Sequence, residues 1–133
     1  EFRRVLFRSN GLAMTGDDGL TRSFFRSKFW AVDPQTYGDI VFQPDALPEQ
    51  VAAQPLPAAE KASLLSYPAE EPLLFVGHYW RRGKPAPLRP NLACLDYSAV
   101  MRGKLVAYRL DDEAQLDPGK FVWVEVELPE APQ

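Results

Sequence analysis

Apolar and polar residues alternate most clearly between Leu20 and Trp30. Arg22, Phe24, Arg26 and Lys28 share one parity, and Phe25 and Phe29 share the other. That period of two predicts a strand with one buried face. A turn signal precedes it at Gly16-Asp17-Asp18-Gly19. From Pro34 to Pro57 the pattern is loop-rich, with room for a short helix near Pro48–Gln54. Pro57 suits the first position of a helix. The Ala, Glu, Lys and Leu residues behind it favour helix to about Tyr67.

From Pro72 the pattern changes to short apolar runs. Leu73-Leu74-Phe75-Val76 is continuous, as expected of a strand buried on both faces. Asn91–Tyr97, Lys104–Leu110 and Phe121–Val126 read as three further strands. Turn residues Met101-Arg102-Gly103 and Asp111-Asp112-Glu113 separate the last three. Short strands joined by tight turns predict an antiparallel meander from about residue 72 to 126. The closing ELPEAPQ reads as a frayed tail. No internal repeat is visible. The expected class is α/β.

Composition narrows the chemistry. The chain has 133 residues, 46% of them hydrophobic and 12% aromatic, the profile of one folded domain. Its 13 prolines are about twice an average share, in keeping with the long loops. No run of eighteen apolar residues exists, so no membrane-crossing helix is expected and no membrane partner is invoked. The net charge of −3 argues against a nucleic-acid surface. The single cysteine, Cys94, excludes an internal disulfide and a cysteine zinc cluster. A reduced, cytoplasmic setting is the simplest expectation. The single histidine, His78, excludes any mechanism that takes two histidines from this chain.

The first nine residues, EFRRVLFRS, stand apart. A basic amphipathic N-terminus ordinarily suggests a membrane-surface helix or an arm for polyanions, but nine residues are too few. Written back as GAG TTC AGA CGT GTG CTC TTC CGA TCT, the peptide resembles the adapter ligated to DNA fragments in short-read sequencing. Residues 1–9 are therefore set aside from fold reasoning as non-native. Without Glu1, Arg3, Arg4 and Arg8 the remainder carries 12 basic and 17 acidic residues, a net −5. Residues 10–133 are then expected to be the truncated C-terminal part of one domain.

The candidate chemistry lies where LLFV runs into Gly77-His78-Tyr79-Trp80. In open α/β folds, ligands bind at the carboxyl ends of strands. A histidine there, after a glycine that lets the chain turn, can reach a metal or a phosphate. A lone histidine at a strand end is more often structural.

Context adds to this. The stretch LLFVGHYWRRGKPAPLRPNLACLDYSAVMRGKLVAYRLDDE resembles the C-terminal end of calcineurin-like metallophosphoesterases, in the branch of bacterial diadenosine tetraphosphatases and serine/threonine phosphatases. The Gly-His pair carries the resemblance, together with Asn91, Cys94, Asp96, Gly103, Lys104, Leu105, Ala107, Tyr108 and Arg109. It covers about residues 72–126 and implies a β-sandwich of two mixed sheets flanked by helices. It also implies a centre of two divalent cations (Mn, Fe, Zn, Ni or Co) that hydrolyses phosphate esters or dinucleoside polyphosphates. His78 is the one ligand it assigns within this chain. The family's broader Gly-His-x-His ending has Trp80 in place of its second histidine, as in the phosphatase branch. The Asp-x-His, Gly-Asp-x-x-Asp and Gly-Asn-His motifs do not occur here, so the fragment is expected to bind no metal stably and to be inactive alone.

Other residues keep two readings. Asp96 either orients His78 or caps a turn. Arg81, Arg82 and Lys84 either attract an anionic substrate or form a solvated loop. Tyr79 and Trp80 either stack on a nucleobase or pack beneath the site. Cys94 reads as a buried small hydrophobe. The rival to a phosphoesterase fragment is a small self-contained β-rich binding module with a structural histidine. A truncated chain is further expected to self-associate through exposed strand edges.

Overall fold

The computed structural model describes residues 6–16, 19–42 and 47–126. Residues 1–5 of the set-aside peptide, Asp17 and Asp18 of the first turn, and the closing ELPEAPQ lie outside them. The chain mixes short helices with small sheets and forms two compact units, one ending at Tyr67 and the other beginning at Pro68. No helix among the described residues is long and apolar enough to cross a membrane.

The first unit is built on β1 (Leu6–Arg8), β4 (Phe24–Ser27) and β5 (Val41–Phe42), antiparallel in the order β1-β4-β5. A hairpin of β2 (Met14–Thr15) and β3 (Thr21–Arg22) precedes β4. The Gly19 N–H closes its turn on the Gly16 carbonyl at 2.9 Å. The alternation along 20–30 is realised: Phe25, Ser27 and Phe29 are buried, while Phe24 faces outward. Phe25 joins Leu12, Tyr37, Ile40 and Val41 in the core. Part of the set-aside peptide is thus paired in this chain, as β1 against β4.

Helix α1 (Tyr37–Ile40) has no strong apolar signal. Its start is fixed by Asp39, whose carboxylate accepts the main-chain N–H groups of Gln35 and Thr36, each at 2.9 Å. Helix α2 (Glu49–Ala52) falls where the sequence suggests one. Helix α3 (Ala58–Ala62) starts behind Pro57 as expected but stops well short of Tyr67. Two features end it. The Ser63 hydroxyl turns back to the Glu60 carbonyl at 2.8 Å, and Pro68 disfavours helical backbone at Tyr67. The Tyr67 N–H bonds the Phe29 carbonyl instead.

In the second unit, the expected antiparallel meander from residue 72 needs correction. Strands β6 (Leu74–Val76) and β7 (Leu92–Cys94) pair in parallel, Leu74 with Leu92 and Val76 with Cys94. Residues 77–91 connect them, long enough for the crossover a parallel pair requires. The meander is confined to β8 (Asp96–Tyr97), β9 (Lys104–Tyr108) and β10 (Phe121–Glu125), in the order β10-β9-β8. Strand β6 is half-buried, not buried on both faces, because β7 is its one partner among the described residues. Strand β7 carries the full burial instead, with Leu92, Ala93 and Cys94 at 0–1% exposure. The core gathers Ala93, Tyr97, Val106, Leu116 and Phe121.

Two tight connections hold the meander. Between β8 and β9 a single 3-10 turn (Ala99–Met101) lies between Ser98 and Arg102, both left-handed with φ of 62°. Gly103 follows because a Cβ there would run into the Tyr97 carbonyl oxygen. Between β9 and β10, Lys120 bonds Asp111 and Glu113, each at 2.7 Å. Tyr108 donates to Glu113 at 2.7 Å. Lys120 first and Tyr108 second hold the Glu113 carboxyl down to about 2.

Candidate functional site

The sequence places Gly77-His78 at the carboxyl end of β6, and the geometry there is more specific than a glycine turn. Gly77 has no positive φ; the left-handed residues are His78 at 65° and Trp80 at 35°. Non-glycine residues adopt this region at a cost on the order of 1 kcal/mol each. Something must therefore hold the loop, and Asp96 does so from both ends. One carboxylate oxygen accepts the His78 main-chain N–H at 2.9 Å. The Asp96 carbonyl accepts the Arg81 N–H at 2.8 Å. The other carboxylate oxygen accepts the Ser98 N–H at 2.9 Å, closing an Asx turn into the left-handed Ser98.

Of the two roles left open for it, Asp96 caps its own turn. Its bond to His78 runs to the main-chain N–H and fixes the backbone there. Asp96 stands there because β7 runs parallel to β6, so both strands deliver their carboxyl ends to one place. Leu95 breaks the strand, its N–H bonded to the Val76 carbonyl, and lets Asp96 begin β8.

The other sequence candidates divide. His78 and Trp80 are exposed, with their rings edge to face at 5.4 Å. Tyr79 is buried at 6% exposure, which favours packing over stacking on a base. Arg81 is half-buried, and its Nε is buried without a hydrogen-bond partner. Arg82 and Lys84 are exposed, which suits either reading. Cys94 is buried, burial pushes its thiol pKa up, and its Sγ lies 3.7 Å from the Asp96 carbonyl. It has no character of a nucleophile.

Sequence reasoning missed two anchors of this loop. Ser98 carries a left-handed turn, and its hydroxyl donates to the Arg81 carbonyl at 3.4 Å. The Tyr97 hydroxyl accepts the Ala86 N–H at 3.1 Å, tying down the proline-rich connection. The Asp-x-Ser spacing was the available signal for the first.

The donor set does not fit a two-metal centre by itself. Among the described residues, no three of His, Cys, Asp and Glu lie together in a group able to hold a metal ion. His78 offers one imidazole, and both Asp96 oxygens already hold main-chain N–H groups. Compared with known protein families, curated proteins and solved structures, the chain shows no significant match.

Proposed function

We propose that residues 10–133 are the C-terminal part of a calcineurin-like metallophosphoesterase domain. In this reading the fold completes a β-sandwich flanked by helices, and His78 is the ligand this segment contributes to a dinuclear centre. The observation that carries the reading is the presentation of His78. It is exposed, left-handed and fixed by Asp96 at the carboxyl ends of a parallel strand pair. A strained non-glycine residue persists where its surroundings over-determine it, and such residues cluster at functional sites. The parent hydrolyses a phosphate ester or nucleotide anhydride in the cytoplasm, with neither nucleic acid nor membrane as partner. Arg81 and Arg82 attract its anionic substrate.

The rival reading, a self-contained binding module with a structural histidine, draws on the closure of the loop through its main-chain groups, the His78 N–H held by the Asp96 carboxylate and the Arg81 N–H by the Asp96 carbonyl. The DNA upstream of Asn10 separates the two. An open frame carrying Asp-x-His, Gly-Asp-x-x-Asp and Gly-Asn-His is expected. In the longer protein, His78→Ala is expected to lower bound metal and to cut hydrolysis of diadenosine tetraphosphate or p-nitrophenyl phosphate at least 100-fold, on the order of losing several kcal/mol of transition-state stabilisation. A start codon near Met14, or metal content unchanged by His78→Ala, would sink the proposal.

A further inference from the structure

Among the described residues, strand β10 lies at the end of the β10-β9-β8 sheet, with β9 as its one strand partner. The ladder to β9 fixes which groups face outward. Arg109 donates to Lys120 across it, and Val126 donates to Gly103. With Phe121 opposite Tyr108 and Glu125 opposite Lys104, even-numbered residues of β10 bond β9. Phe121, Trp123 and Glu125 therefore point their N–H and C=O groups away from the sheet. None of these groups has a partner among the described residues.

The side chains on this edge are apolar on one face, and on the other they are apolar up to Glu125, which pairs with Lys104 at 3.2 Å. Val122 and Val124 lie 40% and 61% exposed beside Leu105 at 65%. Trp123 on the opposite face is 38% exposed. Natural edges are guarded by lysine, proline or a bulge. From Phe121 to Val126 there is no lysine and no proline, the register against β9 is unbroken, and Glu125 is the lone charge.

From these features we infer that two copies of this chain pair along β10, antiparallel, about a two-fold axis at Trp123. Several antiparallel registers set outward groups against outward groups, and one of them uses all three outward residues. With Trp123 opposite Trp123 of the second copy, Phe121 lies opposite Glu125. Every outward N–H and C=O then finds a partner. In that register Val122 faces Val124 of the second copy in the closely spaced pairs of the ladder, where cross-strand side chains interact most. No like charges are opposed. The outer face joins Leu105, Val122 and Val124 of both copies into one apolar stripe. A register shifted by one residue sets outward groups against groups already bonded to β9. The occupant is thus a second copy, and the result is one continuous six-stranded sheet with an isologous interface. This inference is independent of the phosphoesterase reading.

Sedimentation velocity of the full 133-residue chain, taken up to about 1 mM to reach weak interfaces, is expected to show a concentration-dependent monomer–dimer equilibrium. Trp123→Pro removes an outward N–H and leaves the β9 ladder intact. It is expected to abolish the dimer while far-UV circular dichroism stays unchanged. Should that variant misfold, cysteine scanning on the otherwise native sheet reads the register directly. W123C alone is expected to form a disulfide dimer, since residues paired across a ladder stand within bridging distance. V122C alone is not, whereas V122C mixed with V124C is. A monomer at every concentration, or crosslinking in another register, overturns the proposal. In the first case the edge is left to an extended segment of another polypeptide.

Discussion

Glu60 in the first unit and Asp96 in the second each fasten irregular backbone with a carboxylate, and the two carboxylates differ in what surrounds them. In the first unit Glu60 is buried at 5% exposure. It accepts the Ser9 hydroxyl at 3.0 Å, the Asn10 and Gly11 N–H groups at 2.6 and 3.1 Å, and the Tyr37 hydroxyl at 2.8 Å. In the second unit Asp96 is only half-buried and holds two N–H groups. Glu60 is itself buried and ties the exposed Asn10–Gly11 backbone to the buried Tyr37. Asp96 closes a loop that carries an exposed imidazole. The same device therefore serves folding in one place and presentation in the other, and substitution should tell them apart by size and by sign.

The largest effect is expected at Glu60. Glu60→Ala removes the acceptor shared by four donors, of which the Tyr37 and Ser9 hydroxyls are buried and keep only each other as acceptors. A loss of about 3 kcal/mol is expected in urea unfolding. The pH dependence follows from its titration. Burial works against the ionised form, but the hydrogen bonds from Tyr37, Asn10, Ser9 and Gly11 outweigh it and keep the pKa below its ordinary 4.5. A folded-state pKa below the unfolded one contributes stability that is complete above the unfolded value and lost as pH falls through the folded one. Wild type should therefore weaken below about pH 4.5, and Glu60→Gln should weaken less over the same range. A Glu60→Ala protein as stable as wild type would show that solvent reaches the site.

How much of this was legible in the sequence depends on the distance over which each constraint acts. The parity of Phe25 and Phe29, the helix start behind Pro57 and the strand ends at Leu74 and Phe121 are set by neighbours in sequence, and periodicity and proline stereochemistry reveal them. The parallel pairing of β6 with β7 is not, because LLFV and NLAC carry no mark of relative direction. Nor is the Glu60 network, whose donors lie 23 to 51 residues away. In the candidate site, His78 and Asp96 were both visible as residues. The bond from the His78 N–H to the Asp96 carboxylate was not, and the left-handed backbone falls at His78 and not at Gly77, where the sequence suggests the turn.

A smaller effect is expected at Asp96. Its two N–H partners lie at a half-exposed site, where water replaces part of what Asp96→Ala removes. A stability loss of about 1–2 kcal/mol is expected. The sharper readout is local. The His78 and Ser98 amides should exchange with deuterium faster, while the Ala93 and Val106 amides of the core stay protected. Uniform loss of protection across the second unit would place Asp96 with Glu60, as a fold residue.

The smallest effect carries the opposite sign. His78 holds a φ of 65° that glycine adopts freely. If the loop exists to present an imidazole, His78→Gly should relieve the backbone and raise stability by about 1 kcal/mol. The gain should show as a higher urea midpoint with an unchanged m-value. The imidazole also meets Trp80 edge to face, so the substitution weighs that contact against the relief. Destabilisation would mean that the ring packs more than it presents, and would favour the binding module. Stabilisation would mean that the chain keeps a costly residue where a cheaper one fits, as expected of a side chain retained for its chemistry.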